Sequence, residues 1–321
     1  MAEGAKSIRG TYLFGKETSY GTGGTANKDI GLVQNFSLNP EVNAEDELGA
    51  GSAKAIGAKS GIVTPKGSIE YKLQHGRPIE WAMFGGVTTH AATTGDETHT
   101  FVWDDMLPTL AYEAMYKQKS GTDLGFVGTG LLFGSTTFST SLDAMLIGRS
   151  DFTAKTIDMS DTTASAAVVN TGLPWAGFQA SASINSVTPD FIQGWELTMN
   201  ANSKVLHGAG ARGPTDGSSH GRQVSFRVNV GFSSAAQFAL ATGSAAAITA
   251  TEPTSFPVVL STDNGVALGS GKRATTFNLT GCQMKSPNVT AQINDFVMAT
   301  WEGVGVLSSA TAVDQVLSAA W

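Results

Sequence analysis

The chain has 321 residues, with 20 Lys and Arg against 27 Asp and Glu, a formal charge of −7, 41% hydrophobic residues and 15% charged ones. This balance excludes a disordered chain and leaves enough apolar mass for one large core or two ordinary ones. The basic residues are scattered, and Lys54, Lys59, Lys66 and Lys72 are offset by Glu45, Asp46 and Glu47, which excludes the clustered positive patch that tight nucleic-acid binding requires.

Short runs rich in Thr, Val, Phe and Ser alternate between Gly, Asn and Asp, so the fold is expected to be mostly β. The first strand is Phe36–Asn39, followed by a long polar loop from Pro40 to Lys66. In the next strand Ile69, Tyr71 and Leu73 face a core, while Ser68, Glu70, Lys72 and Gln74 face the other way. Pro78 near a first turn and Gly85 at the exit predict a short helix over Pro78 to Phe84, docked through Trp81 and Phe84. Strands follow at Thr100–Trp103, Leu110–Met115, Gly134–Phe138 and Asp143–Ile147, and a Ser/Thr/Ala-rich stretch from Asp158 to Gly172 reads as a linker.

From about Trp175 the same order is read a second time. Leu197–Asn200 answers Phe36–Asn39, a Gly-rich loop spans Ala201 to Gly221, and Val224–Val230 answers Ile69–Leu73, with Val224, Phe226, Val228 and Val230 inward and Ser225, Arg227 and Asn229 outward. The offsets are about 161 and about 155, roughly half the chain. A second helix is expected from Ser234 to Ala241, docked through Phe238 and Leu240, then strands at Pro257–Leu260, Thr275–Met284 and Asn294–Met298. The expected organisation is two tandem β-barrel or sandwich domains, 1–160 and 175–321, joined by a linker over 161–174, each with one short flanking helix and one long inter-strand loop. Both loops exceed the roughly 12–15 residues of ordinary connections, so they are expected to be arms that order against a neighbouring subunit.

Sites for chemistry are sparse. Gly208–Gly213 matches G-x-G-x-x-G, but Pro214 follows where a helix must begin, and Gly269–Arg273 lacks the Ser or Thr of a phosphate loop. The five His do not fall at metal-pair spacing and Cys282 stands alone, so no metal, cofactor, disulfide or catalytic set is expected, and Cys282 is expected to pack as a small apolar residue. Met1–Lys6 carries no export pattern and no stretch approaches the roughly 20 apolar residues of a membrane helix, which favours assembly in the cytoplasm without a membrane partner. Six Trp residues leave a carbohydrate-binding β-sandwich, such as a capsid decoration or fibre module, as the alternative, with Trp175 and Trp301 as its test residues.

Glu17-Thr18-Ser19-Tyr20-Gly21-Thr22, the run Gly67–Gly85 with its helix, and the strand at Gly281-Cys282 before Asn294-Asp295-Phe296 occur in an order that resembles the tail tube proteins of long-tailed bacteriophages. The resemblance implies a virion protein of the tail that forms stacked rings around a channel for double-stranded DNA, which passes non-specifically. It also implies contacts with a tape-measure protein and tail-end proteins. Two tube-like modules per chain would make a ring of three chains with pseudo-sixfold symmetry, the alternative being six chains.

On this resemblance the long loops carry ring stacking, through Glu41, Glu45, Asp46, Glu47, Leu48, Lys54 and Lys59 in the first and Lys204, His207 and Arg212 in the second. Glu70, Lys72, Glu196 and Arg227 on the polar strand faces are the candidate lumen residues, where carboxylates would repel rather than hold DNA phosphates.

Overall fold

The computed structural model describes residues 10–47, 57–93, 96–117, 122–160, 165, 172–189, 191–231, 239, 254–268, 271–290 and 297–314. The first half supplies β1 (Gly10–Lys16), β2 (Leu32–Glu47), β3 (Gly57–Lys72), the helix α1 (Arg77–Ile79) continued by a π turn over Glu80–Phe84, β4 (Gly85–Thr93), β5 (Asp96–Trp103), β6 (Leu110–Tyr116), β7 (Leu124–Ser141), β8 (Ile147–Thr153) and β9 (Asp158–Ser160). The second supplies β10 (Ser181–Ile184), β11 (Ile192–Asn200), β12 (Lys204–Leu206), β13 (Asp216–Ser218), β14 (Gln223–Gly231), β15 (Phe256–Leu268), β16 (Gly271–Thr290) and β17 (Met298–Asp314). The molecule is mainly β and sandwich-like, with no closed barrel.

Alternation decides which way the strands face. Ile69, Tyr71 and Leu73 are buried, as are Val224, Phe226, Val228 and Val230, while Arg227 between them is exposed. At roughly 25 cal/mol per Å² each such large side chain contributes about 1.5–3 kcal/mol by leaving water. Gln74 departs from the expected outward pattern: it lies past the end of β3, is buried, and donates from its amide to the Gly172 carbonyl. The expected strand over Asp143–Ile147 is instead the turn that leads into β8.

The helix follows its punctuation. Pro78 sits in the first turn, and Gly85 ends the π turn at φ 93°, a left-handed conformation that favours glycine. Trp81 and Phe84, on the π turn itself, are buried. Its last carbonyls, Met83 O and Phe84 O, accept from Arg222 at 2.9 and 3.0 Å, and that guanidinium lies 4.3 Å from the Trp103 ring centre. The second expected helix, with Phe238 and Leu240, lies outside the described residues apart from Ala239.

Among the described residues fifteen strands join one sheet, and its path reads β10-β15-β16-β17-β14-β11-β7-β8-β3-β2, with β6 and β1 branching from β7. The pairing order β1-β6-β7-β8-β3-β2 therefore recurs as β10-β15-β16-β17-β14-β11. The irregularities recur with it. Against β3, β2 slips between Val33 and Asn35; against β14, β11 slips between Ile192 and Gly194. Val33 opposes Tyr71 and Ile192 opposes Val230, so both strands step by the same 159 residues (192 − 33 and 230 − 71). A second pair of slips, Leu110/Tyr112 and Phe256/Val258, shares a step of 146 (256 − 110 and 258 − 112). The offsets read from the sequence, 161 and 155, differ from 159 by even numbers, which leaves every side chain on its face and is therefore invisible to alternation.

Strands from the two halves also pair directly. Gly194–Asn200 of β11 lies antiparallel to Ser135–Ser141 of β7, and β17 pairs with β5 through Ala310↔Phe101 to Asp314↔Glu97. Phe138 and Phe277 stack with ring centres 5.7 Å apart, and buried residues of both halves form one apolar cluster.

Candidate assembly surfaces

The segment expected as a long loop from Pro40 to Lys66 is a β-ribbon for most of its length, paired from Pro40↔Pro65 to Glu47↔Gly57. It overshoots the sheet, since β8 covers β3 only from Lys66 onward. Glu41 is exposed and forms an ion pair with Lys66. Glu45, Asp46 and Glu47 oppose Lys59, Ala58 and Gly57. Leu48 and Lys54 lie outside the described residues.

The second expected loop, Ala201 to Gly221, contains the small hairpin β12–β13, where Lys204 opposes Ser218. It docks on the ribbon of its own chain. Arg212 donates from Nε to Gly61 O (3.2 Å) and from its terminal nitrogen to Ser60 Oγ (2.6 Å), while its carbonyl accepts from the Val63 amide at 2.7 Å. His207 Nε2 lies 3.1 Å from Thr64 Oγ1. The structure thus brings His207 and Arg212 to one ribbon face and places Lys204 on the neighbouring hairpin.

At the opposite end of the sheet the turn between β7 and β8 and the chain flanking β10 expose apolar side chains: Leu142 (45%), Met145 (39%), Leu173 (62%), Phe178 (69%) and Phe191 (66%). Backbone bonds tie this patch together, from Leu142 N to Gln193 O at 3.0 Å and from Gly177 N to Ala144 O at 2.7 Å. Patches of this kind mark surfaces that meet another molecule.

The four candidate lumen residues share one face of the continuous sheet. A row of opposed residues runs Lys72, Ile147, Ser139, Glu196, Arg227, Glu302, and the next row runs Glu70, Arg149, Thr137, Thr198, Ser225. Arg149 Nε meets Glu70 Oε2 at 2.8 Å and Arg227 Nε meets Glu302 Oε1 at 2.9 Å. Exposed pairs of this kind contribute about 0–1 kcal/mol each, so their effect is to balance the charge of the face. Thr137 and Thr198 hydroxyls are hydrogen-bonded at 2.8 Å across the β7–β11 seam.

Beneath the helix lies a buried ionic cluster that sequence patterning missed. Arg77 donates to Asp29 at 2.6 Å, the Gly76 amide donates to Asp314 at 2.8 Å, and His99 Nε2 lies 3.2 Å from Asp314. Burial pushes the Arg77 guanidinium down from its usual value, and Asp29 opposes that shift. These contacts join Asp314, at the far end of the chain, to the first-half helix, with almost no solvent access. They can lock the two halves but present nothing to a substrate. Trp175 and Trp301 are likewise each 1% exposed, so neither offers a ring to a sugar.

The sheet edges are the other feature that alternation did not reveal. Among the described residues, β2 has a strand neighbour only on its β3 side, and Ser286–Thr290 of β16 only on the β17 side. The sequence signal was the proline content, because Pro40 and Pro287 fit strands only where an edge tolerates a missing N–H.

A ribbon at one end, an apolar patch at the other and a polar sheet face open at its edges define a β protein built to associate. The family model described as phage tail tube protein matches residues 7–272, and the chain belongs to that family. It is a structural protein of the phage tail. No curated protein matches the chain.

Proposed function

We propose that copies of this chain close into rings that stack into the tail tube and conduct double-stranded DNA during ejection. The observation that carries this reading is the continuous sheet, which crosses both halves through the β7–β11 seam and, among the described residues, leaves β2 and the Ser286–Thr290 end of β16 with a strand neighbour on one side only. Each chain then acts as two fused modules, 1–160 and 175–321 about the 161–174 connection, and three chains complete a ring of pseudo-sixfold symmetry.

The charge-balanced face with Glu70, Lys72, Glu196 and Arg227 lines the channel. It offers phosphates no net attraction, so DNA and the tape-measure protein slide past. Stacking uses the ribbon, with Glu41, Glu45–Glu47, Lys59 and the docked Arg212 and His207, against the apolar patch around Phe178 of the ring beyond. Electron microscopy of the purified protein at high concentration tests this: stacked rings of one diameter are expected, and a protein that stays monomeric would overturn it.

A further inference from the structure

The seam within the chain pairs two strands whose counterparts in the pairing repeat can be located residue by residue. Ser139 opposes Ile147, which opposes Lys72; Thr290 opposes Met298, which opposes Gly231. Residues 137–139 of β7 therefore correspond to residues 288–290 of β16, a step of 151 (290 − 139 and 298 − 147). By the step of 159 already found, Leu197 and Thr198 of β11 correspond to Leu38 and Asn39 of β2. Within the chain β7 and β11 pair with each other, whereas among the described residues their counterparts, β16 over Ser286–Thr290 and β2, each have a strand neighbour on one side only.

The side chains at those edges match those of the seam. In the seam Phe138 opposes Leu197, and both are 0% exposed. Their counterparts, Val289 and Leu38, are also apolar, yet Val289 is 38% exposed and Leu38 only partly buried. On the other face the hydrogen-bonded pair Thr137–Thr198 has as counterparts Asn288 and Asn39, both exposed and able to exchange amide hydrogen bonds. Met199 opposes Thr136 in the seam, and their counterparts are Pro40 and Pro287, which lack an N–H and end the ladder there. Beside the start of β2, a cleft of about 630 Å³ between Leu32–Phe36 and Gly10–Leu13 leaves room along the same edge.

We propose that β16 of one copy pairs antiparallel with β2 of the next, with Val289 opposite Leu38 and Asn288 opposite Asn39. The contact is head-to-tail, and it repeats the rotation already built into the chain, so the same step that joins the halves also joins the copies. This inference rests on the ring reading and specifies its joint.

Disulfide trapping in the full chain tests it, with buried Cys282 left in place. Directly opposed residues of an antiparallel pair have Cα atoms about 4.5–5.5 Å apart, within the roughly 4.4–6.8 Å that a disulfide spans. An equimolar mixture of Leu38→Cys and Val289→Cys is expected to give covalent dimers under mild oxidation, and neither variant alone should. The double variant should give a ladder that ends at the closed ring. Asn39→Cys mixed with Val289→Cys, which places the thiols on opposite faces, should give none. Rings by microscopy without the Leu38–Val289 bond would overturn the register and leave the ring reading standing. Dimers from either single variant would replace the head-to-tail joint with a two-fold one. A protein that forms no rings at all would remove both.

Discussion

Cys282 shows how closely single residues are fitted in the second half. Its Sγ would stand 2.6 Å from a Cβ on Gly305, so the missing side chain of that glycine is the space the sulfur occupies. Gly303 plays the same part for Phe226, whose ring would stand 2.5 Å from an added Cβ. Burial pushes the Cys282 thiol up from 9.0 to about 11. A thiol that holds its proton longer in the folded state contributes stability that is fully present below pH 9 and is lost as pH rises toward 11. The unfolding free energy from urea titrations is expected to fall across that window by an amount on the order of 1 kcal/mol, and Cys282→Ala, though less stable at neutral pH, should flatten the slope. An unchanged slope in the variant would show that other groups carry it; the tyrosines Tyr12, Tyr20, Tyr71, Tyr112 and Tyr116, all pushed up by burial, add their own loss of stability above pH 10, so the Cys282 effect is read between pH 9 and 10.

At the scale of elements, the ribbon formed by β2 and β3 is the part that leaves the core. From Glu41 to Ala44 every side chain is exposed, so this stretch buries no face, and the acidic run Glu45-Asp46-Glu47 that follows breaks the period-two alternation. That is why a paired ribbon was expected to be a loop, and why the core-facing run Ile69–Leu73 of the same strand was legible. Arg212, by contrast, could not be assigned a contact from local sequence, because its partners Ser60 and Gly61 lie 152 and 151 residues away. Replacing Glu45–Lys59 with an Asn-Gly turn should leave the circular dichroism spectrum and thermal midpoint close to wild type, since two-residue type I′ turns suit antiparallel strands and little core is lost. Sedimentation should then find rings without tubes. Tubes of normal length from this variant would show that stacking does not use the ribbon.

Across the whole molecule, the two pairing repeats are joined by more than the connection between them. The β7–β11 seam, the β17–β5 pairing, the Phe138–Phe277 stack and the Asp314 bonds to Gly76 and His99 all cross from one half to the other. Elements that share ladders and a core unfold together, so calorimetry of the unassembled protein is expected to show one cooperative transition. Two well-separated transitions would instead mark halves that fold independently. Cutting the chain after residue 160 should expose the edge of β7 now covered by β11, and with it the tendency of open strands to aggregate.

Alternation and turn chemistry settle which residues face a core and where the helix begins and ends, because both are local properties of a chain with a fixed side-chain period. Tyr71, Val228, Pro78 and Gly85 could therefore be placed from their neighbours alone. Register, edges and cross-half contacts arise between residues far apart in sequence, from Val33 and Tyr71 (71 − 33 = 38 positions) to Gly76 and Asp314 (238 positions), and a slip of two residues keeps the same faces inward. Only the assembled sheet, through its repeated bulges, decided that Val33 answers Ile192 and that, among the described residues, β2 and the Ser286–Thr290 end of β16 have a strand neighbour on one side only.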